Sequence, residues 1–153
     1  MQNDTYKKIL WLEDNFYSIM SYVEVLSLEY GVDGRRTITD ARLAIEKNRY
    51  DLFIMDIMVP TKNEEEERSF PPEITEKGRK TGLIFYRREK ERLDRQGTKV
   101  LALTVSSDEN LRREFLEAGL PEGSFATKYA LREIPVFLAK IRDILEERRR
   151  DAK

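Results

Sequence analysis

YDLFIMDIMVP, residues 50–60, is nearly all apolar from Tyr50 to Met55, then stops on an acid, Asp56, with Pro60 four positions on. The run does not alternate apolar with polar. A half-exposed strand would alternate, so the pattern predicts a strand covered on both faces, as in a parallel sheet. Two other runs have the same character: Lys8–Leu12 (KILWL) and residues 99–105 (KVLALTV). Weaker strands are expected at 34–38 and 124–127. The stretches between have helical period. Phe16, Ile19, Met20, Val23 and Leu26 mark a first helix, stopped at Gly31. Thr39 caps a second, with Ala41, Ala44 and Ile45 on one face. Leu83, Tyr86 and Leu93 mark a third, ending before Gly97. Leu111, Phe115 and Ala118 mark a fourth, ending at Gly119. Pro135 opens a fifth, with Phe137, Leu138, Ile141, Ile144 and Leu145 inward and Arg148, Arg149 and Arg150 at the negative pole of its dipole.

Strand and helix therefore alternate five times. This predicts an α/β fold: a doubly wound, five-stranded parallel sheet in the order 2-1-3-4-5, with five helices on its two faces. The whole chain, 1–153, reads as one domain. Residues 61–81 (TKNEEEERSFPPEITEKGRKT) break the rhythm with four consecutive glutamates and a Pro-Pro pair. They read as a surface insertion, a long loop in which Phe70 is the one apolar anchor for a partner or for folding back.

Composition narrows the chemistry by what is missing. There is no Cys and no His, which excludes thiol nucleophiles, Cys/His zinc sites and Ser-His-Asp triads. Basic and acidic residues, 28 and 29, nearly cancel, so no electrostatic footprint for nucleic acid is expected. No apolar run approaches the ~18 residues of a membrane span, and residues 1–6 lack a signal-peptide core. A cytoplasmic location is expected.

What remains is carboxylates, hydroxyls, lysines and hard metals. Glu13 and Asp14 end the first strand, and Asp56 ends the third. In a 2-1-3-4-5 sheet these strands flank the switch point, where ligands bind beyond the carboxyl ends. Three converging carboxylates repel and need a cation; oxygen ligands alone select Mg2+, Mn2+ or Ca2+. Thr104 ends the fourth strand and Lys128 the fifth. A carboxylate nucleophile, a metal, a hydroxyl and an ammonium are the parts that form an acyl phosphate. Singly, each has an ordinary structural explanation, such as a helix cap, a turn or a surface charge.

Together these pieces resemble the receiver domain of two-component response regulators (the CheY-like family). The matching segments are ILWLED (9–14), YDLFIMDIMVP (50–60), TGL (81–83), LALTVSS (101–107), EAG (117–119) and SFATK (124–128). The resemblance implies a flavodoxin-like fold and phosphorylation of Asp56 by a histidine kinase or a histidine phosphotransfer protein. It implies Mg2+ (or Mn2+) held by Glu13, Asp14, Asp56 and the backbone carbonyl of Met58. Thr104 and Lys128 would contact the phosphoryl group, and Phe125 would be the aromatic switch. Readout is expected at a surface including Phe115, Leu116 and Phe125. The chain would act on its own aspartate only and not as an enzyme on other substrates. No output domain fits after Lys128, so signalling by protein contact is expected.

Three positions depart from the family pattern. Tyr129 stands where a proline usually follows the lysine, and a cis bond before a non-proline costs ~2.5–4 kcal/mol, so a differently shaped trans loop is expected. Val105 follows Thr104 where a small residue is usual, and should gate access to Asp56. The 61–81 insertion begins five residues after Asp56, at the mouth of the site. A pseudo-receiver that never takes phosphate is the alternative, and a haloacid-dehalogenase-type phosphatase a lesser one. That phosphatase and toprim-type nucleases carry an Asp-x-Asp pattern, which both acidic segments here lack.

Overall fold

In the computed structural model, residues 6–151 are described, with side chains over 6–146. Residues 1–5 and the side chains of Arg148, Arg149 and Arg150 lie outside the described residues. The elements run β1 (Lys8–Leu12), a 3-10 turn (Phe16–Ile19) leading into α1 (Met20–Leu26), β2 (Gly31–Arg35), α2 (Ile38–Lys47), β3 (Leu52–Asp56), α3 (Glu64–Ser69), α4 (Pro72–Thr75), α5 (Thr81–Gln96), β4 (Lys99–Thr104), α6 (Glu109–Glu117), β5 (Phe125–Thr127) and α7 (Ile134–Asp151). All strand pairs are parallel, in the order β2-β1-β3-β4-β5.

The two faces of the sheet follow from the period-two alternation of each strand. Ile9, Trp11, Leu52, Ile54, Leu101 and Leu103 face one cluster, with Leu26 of α1 and Phe137, Ile141 and Ile144 of α7. Trp11 stacks on Phe137 at 5.4 Å between ring centroids. Leu10, Leu12, Phe53, Met55 and Ala102 face the other cluster, under α2, α5 and α6. Apolar residues on both sides of β1, β3 and β4 explain why these strands read as unbroken apolar runs.

Several sequence expectations are corrected. The second strand is Gly31–Arg35, not 34–38. It is an edge strand, paired only with β1, and its GVDGR sequence carries little strand propensity. Gly31 begins this strand rather than stopping the first helix, which ends at Leu26. Thr37, not Thr39, caps α2, its hydroxyl accepting from the Asp40 N–H at 3.1 Å. Ile38 therefore opens a helix and buries its branched side chain beside Ala41 and Ile45. The third strand begins at Leu52, two residues into the apolar run, and ends on Asp56, and the fourth ends on Thr104, both ends as expected. Ser124 belongs to a 3-10 turn before the fifth strand.

The largest correction concerns the insertion. The five longer helices are those expected, and residues 61–81 add two short ones among the described residues, α3 and α4, because the segment folds instead of looping out. Asn63 caps α3 by accepting from the Glu66 N–H at 2.8 Å, and the four glutamates sit in its first turn, where the helix dipole favours negative charge. Phe70 folds back into the core, 6.3 Å from the Phe85 ring, with the Arg88 guanidinium 4.6 Å over its outer face. Glu66 is only 3% exposed, although it sits in a run of charges. One of its oxygens accepts from the Lys62 N–H at 2.8 Å; the other accepts from the Thr39 N–H at 3.0 Å and the Thr39 hydroxyl at 2.5 Å. Residues 61–81 thus form a strap fastened to the start of α2 and to the core.

Candidate functional site

The residues that end the strands do so in register. Glu13 continues the face of β1 that carries Ile9 and Trp11. Asp56 continues that of Leu52 and Ile54, and Lys128 lies two residues past Ala126. All three are therefore carried to the same side of the carboxyl edge, at the ends of β1, β3 and β5. Thr104 falls on the opposite parity, with Ala102, whose register partner across the sheet is Phe125.

One ligand atom each from Glu13, Asp14 and Asp56 lies within 4.8 Å of the others. Glu13 and Asp56 are buried and Asp14 is half-buried. Lys128 Nζ donates to Glu13 Oε1 at 2.9 Å and stands 3.5 Å from Asp56 Oδ1. The Met58 N–H donates to Asp56 Oδ1 at 3.3 Å. Burial and then the charge of Glu13 push the Asp56 carboxyl up to about 6; Lys128 and the Met58 N–H only partly oppose them. Burial alone would depress the Lys128 ammonium, but Asp56 and Glu13 outweigh it and hold its pKa above the ordinary value. A lone ammonium thus leaves Asp56 hard to ionise. Close-set oxygen donors with surplus negative charge fit a hard divalent cation, and are poorly suited to anything softer.

Thr104 is fully buried, its hydroxyl accepting from the Ser106 N–H at 3.2 Å, and its carbonyl accepts from the Lys128 N–H at 2.8 Å. Lys128 is thereby hung from the end of β4. No cis peptide bond occurs among the described residues, so the Lys128–Tyr129 bond is trans, as expected from Tyr129. Val105 is 67% exposed beyond the end of β4. Phe125 is half-buried and packs on Phe115, with centroids 5.6 Å apart. Phe115 itself is fully buried between Phe125 and Tyr86, so it is core and not part of a readout surface as expected.

Three contributors were not singled out in the sequence. Gly82, the second residue of α5, lies against the backbone just past Asp56: its N–H donates to the Ile57 carbonyl at 2.7 Å, and a Cβ there would sit 2.7 Å from Ile57 Cα. Only glycine allows that approach. Glu66 fastens the strap, and Lys62 reaches from it to Asp14, with Nζ 3.4 Å from Oδ2. The TGL triplet signals the first. Nothing in an acidic run marks which glutamate turns inward.

No family model matches the sequence, and no curated protein matches it. Solved structures do. A response regulator receiver domain protein from Methanospirillum hungatei superposes with a TM-score of 0.72 at 20% identity, over 95% of this chain and 98% of that one. The chain has the receiver fold. The signal receiver domain of a putative Luxo repressor from Vibrio parahaemolyticus gives 0.71 at 16% identity, over 96% and 95% of the two chains. The chemotaxis response regulator CheY4 of Vibrio cholerae gives 0.65 at 16%, over 92% and 99%. The receiver fold accounts for the strand order. Among the described residues no helix is long and apolar enough to cross a membrane.

Proposed function

We propose that this chain is a response regulator receiver: Asp56 takes a phosphoryl group from a phosphohistidine, and the phosphorylated form signals through protein contact. The observation that supports it best is the buried nucleophile in its charged setting. Asp56 lies between two acids that draw in a cation and an ammonium held for an anion. An Asp56 oxygen attacks phosphorus as the P–N bond of the donor breaks, and the departing imidazole nitrogen takes a proton. Glu13, Asp14, Asp56 and the Met58 carbonyl would hold Mg2+ or Mn2+, whose chemistry is to ionise Asp56 and neutralise phosphoryl oxygens. Lys128 exchanges its contact with Asp56 for one with the phosphoryl group, and Thr104 donates its hydroxyl to another phosphoryl oxygen. The donor would be a histidine kinase or a histidine phosphotransfer protein, in the cytoplasm. The chain turns over its own aspartate and no separate substrate.

Mass spectrometry after incubation with a phosphodonor and Mg2+ should show one added phosphoryl group, on the peptide containing Asp56. No addition with any donor would leave the pseudo-receiver reading. Turnover of a generic phosphomonoester would instead favour a phosphatase.

Val105 should slow the chemistry of small molecules. Its branched side chain stands at the surface one residue beyond Thr104. Val105→Ala is expected to speed labelling by acetyl phosphate and loss of phosphate to water together, by about two- to fivefold, where tenfold corresponds to ~1.4 kcal/mol of barrier. Rates equal to wild type would show that the position does not gate access.

A further inference from the structure

The three carboxylates of the site are balanced by two lysines, and the second comes from the strap. Lys128 serves Glu13 and Asp56 from one side. Lys62 serves Asp14, with Nζ 3.4 Å from Oδ2. Its placement is built. The Lys62 N–H is bound by Glu66 Oε1, the other Glu66 oxygen is fixed by Thr39, and Phe70 buries the far end of the helix. The backbone of Lys62 is therefore held while its side chain keeps its freedom. The pair is part-exposed, 43% for Lys62 and 29% for Asp14, so it adds little to folding stability.

Its effect on an incoming dication is different in kind. An ion ligated by Asp14 must take the charge that Lys62 already neutralises, and it meets a tethered positive charge a few ångströms away. We propose that Lys62 competes with the divalent ion for Asp14 and so sets the ion concentration at which the site loads. The inference rests on the reading of Glu13, Asp14 and Asp56 as a divalent-ion site. It gives the strap a function: residues added next to the site make loading less favourable, while Lys128, paired with Glu13 and Asp56 on the other side, is the lysine that meets the phosphoryl group.

Isothermal titration of Mg2+ into the full chain, without any phosphodonor, tests this. Lys62→Met removes the charge and keeps the length. It should bind Mg2+ about three- to tenfold more tightly than wild type at low salt. The gain should shrink at about 0.5 M salt, where charge interactions are screened. Lys62→Arg keeps the charge and should stay within about twofold of wild type. Saturable binding with equal constants for wild type and Lys62→Met would overturn the competition and leave the ion site standing. An equal gain in Lys62→Arg would overturn it as well, because charge would not be the cause. Binding unaffected by Asp14→Asn, or no binding to any variant, would remove the ion site itself and the inference with it.

Discussion

Asp56→Asn is expected to abolish phosphoryl labelling altogether while making the ion-free protein more stable. The first effect follows because the amide keeps the shape of the side chain and loses the nucleophilic oxygen. The second follows from the cost of charge. Asp56 is buried beside Glu13, and its carboxyl is pushed up to about 6 from an ordinary value of 3.8. Well below pH 3.8 the carboxyl is protonated in folded and unfolded chains alike, and the substitution changes little. As pH rises from there through about 6 the unfolded chain ionises before the folded one, so wild-type stability falls relative to the asparagine variant. At pH 8 in a chelator the variant should gain about 1–3 kcal/mol, with Lys128 and solvent keeping the value below the full shift. Urea unfolding at about pH 3 and pH 8 measures it. Added Mg2+ should stabilise wild type more than the variant. Equal stability at pH 8 would mean that Asp56 is not destabilised by its neighbours, and the balance of charge drawn for the site would be wrong.

The central strands and the site were legible in the sequence for one physical reason. A strand covered on both faces has no use for an acid, so Glu13, Asp14 and Asp56 stood out at the ends of apolar runs, and the strand order brings those ends together. Lys128, at the end of the last strand, was legible by its place on the same edge, and it meets Glu13 and Asp56. The edge was less legible. β2 is held by pairing with β1, not by burial of its own side chains, so its Gly-rich, charged sequence pointed three residues too far along. The strap was misread because its interior contacts are made by one glutamate of four, and by a phenylalanine set between charged runs. Composition reports such a segment as solvated; only the partners, Thr39 across the chain and Phe85 on α5, make it otherwise. Lys62 was invisible for the same reason, since its role depends on where the strap is tied.

Glu66→Ala should therefore cost far more than a substitution in an acidic surface run. Its carboxylate accepts from the Lys62 N–H, the Thr39 N–H and the Thr39 hydroxyl, and each loses its partner when the side chain is cut back. Unpaired, part-buried donors of this kind give an expected loss of about 2–4 kcal/mol in urea unfolding. Glu64→Ala, in the same helix turn but exposed, should change stability by no more than about 0.5 kcal/mol. The pH dependence identifies the cause. Burial alone would raise the Glu66 carboxyl, but the bonds from Thr39 and Lys62 outweigh it and hold it below its ordinary 4.5. A depressed carboxylate stabilises the fold fully above that value and loses its contribution as pH falls through the folded-state pKa. The gap between wild type and Glu66→Gln, which keeps the shape without the charge, should thus be widest near pH 7 and close progressively below about pH 4.5. A gap that does not change with pH would assign the clamp to shape rather than charge. A Glu66→Ala variant as stable as wild type would mean that the strap does not depend on the clamp, and that Lys62 is held over Asp14 by something else.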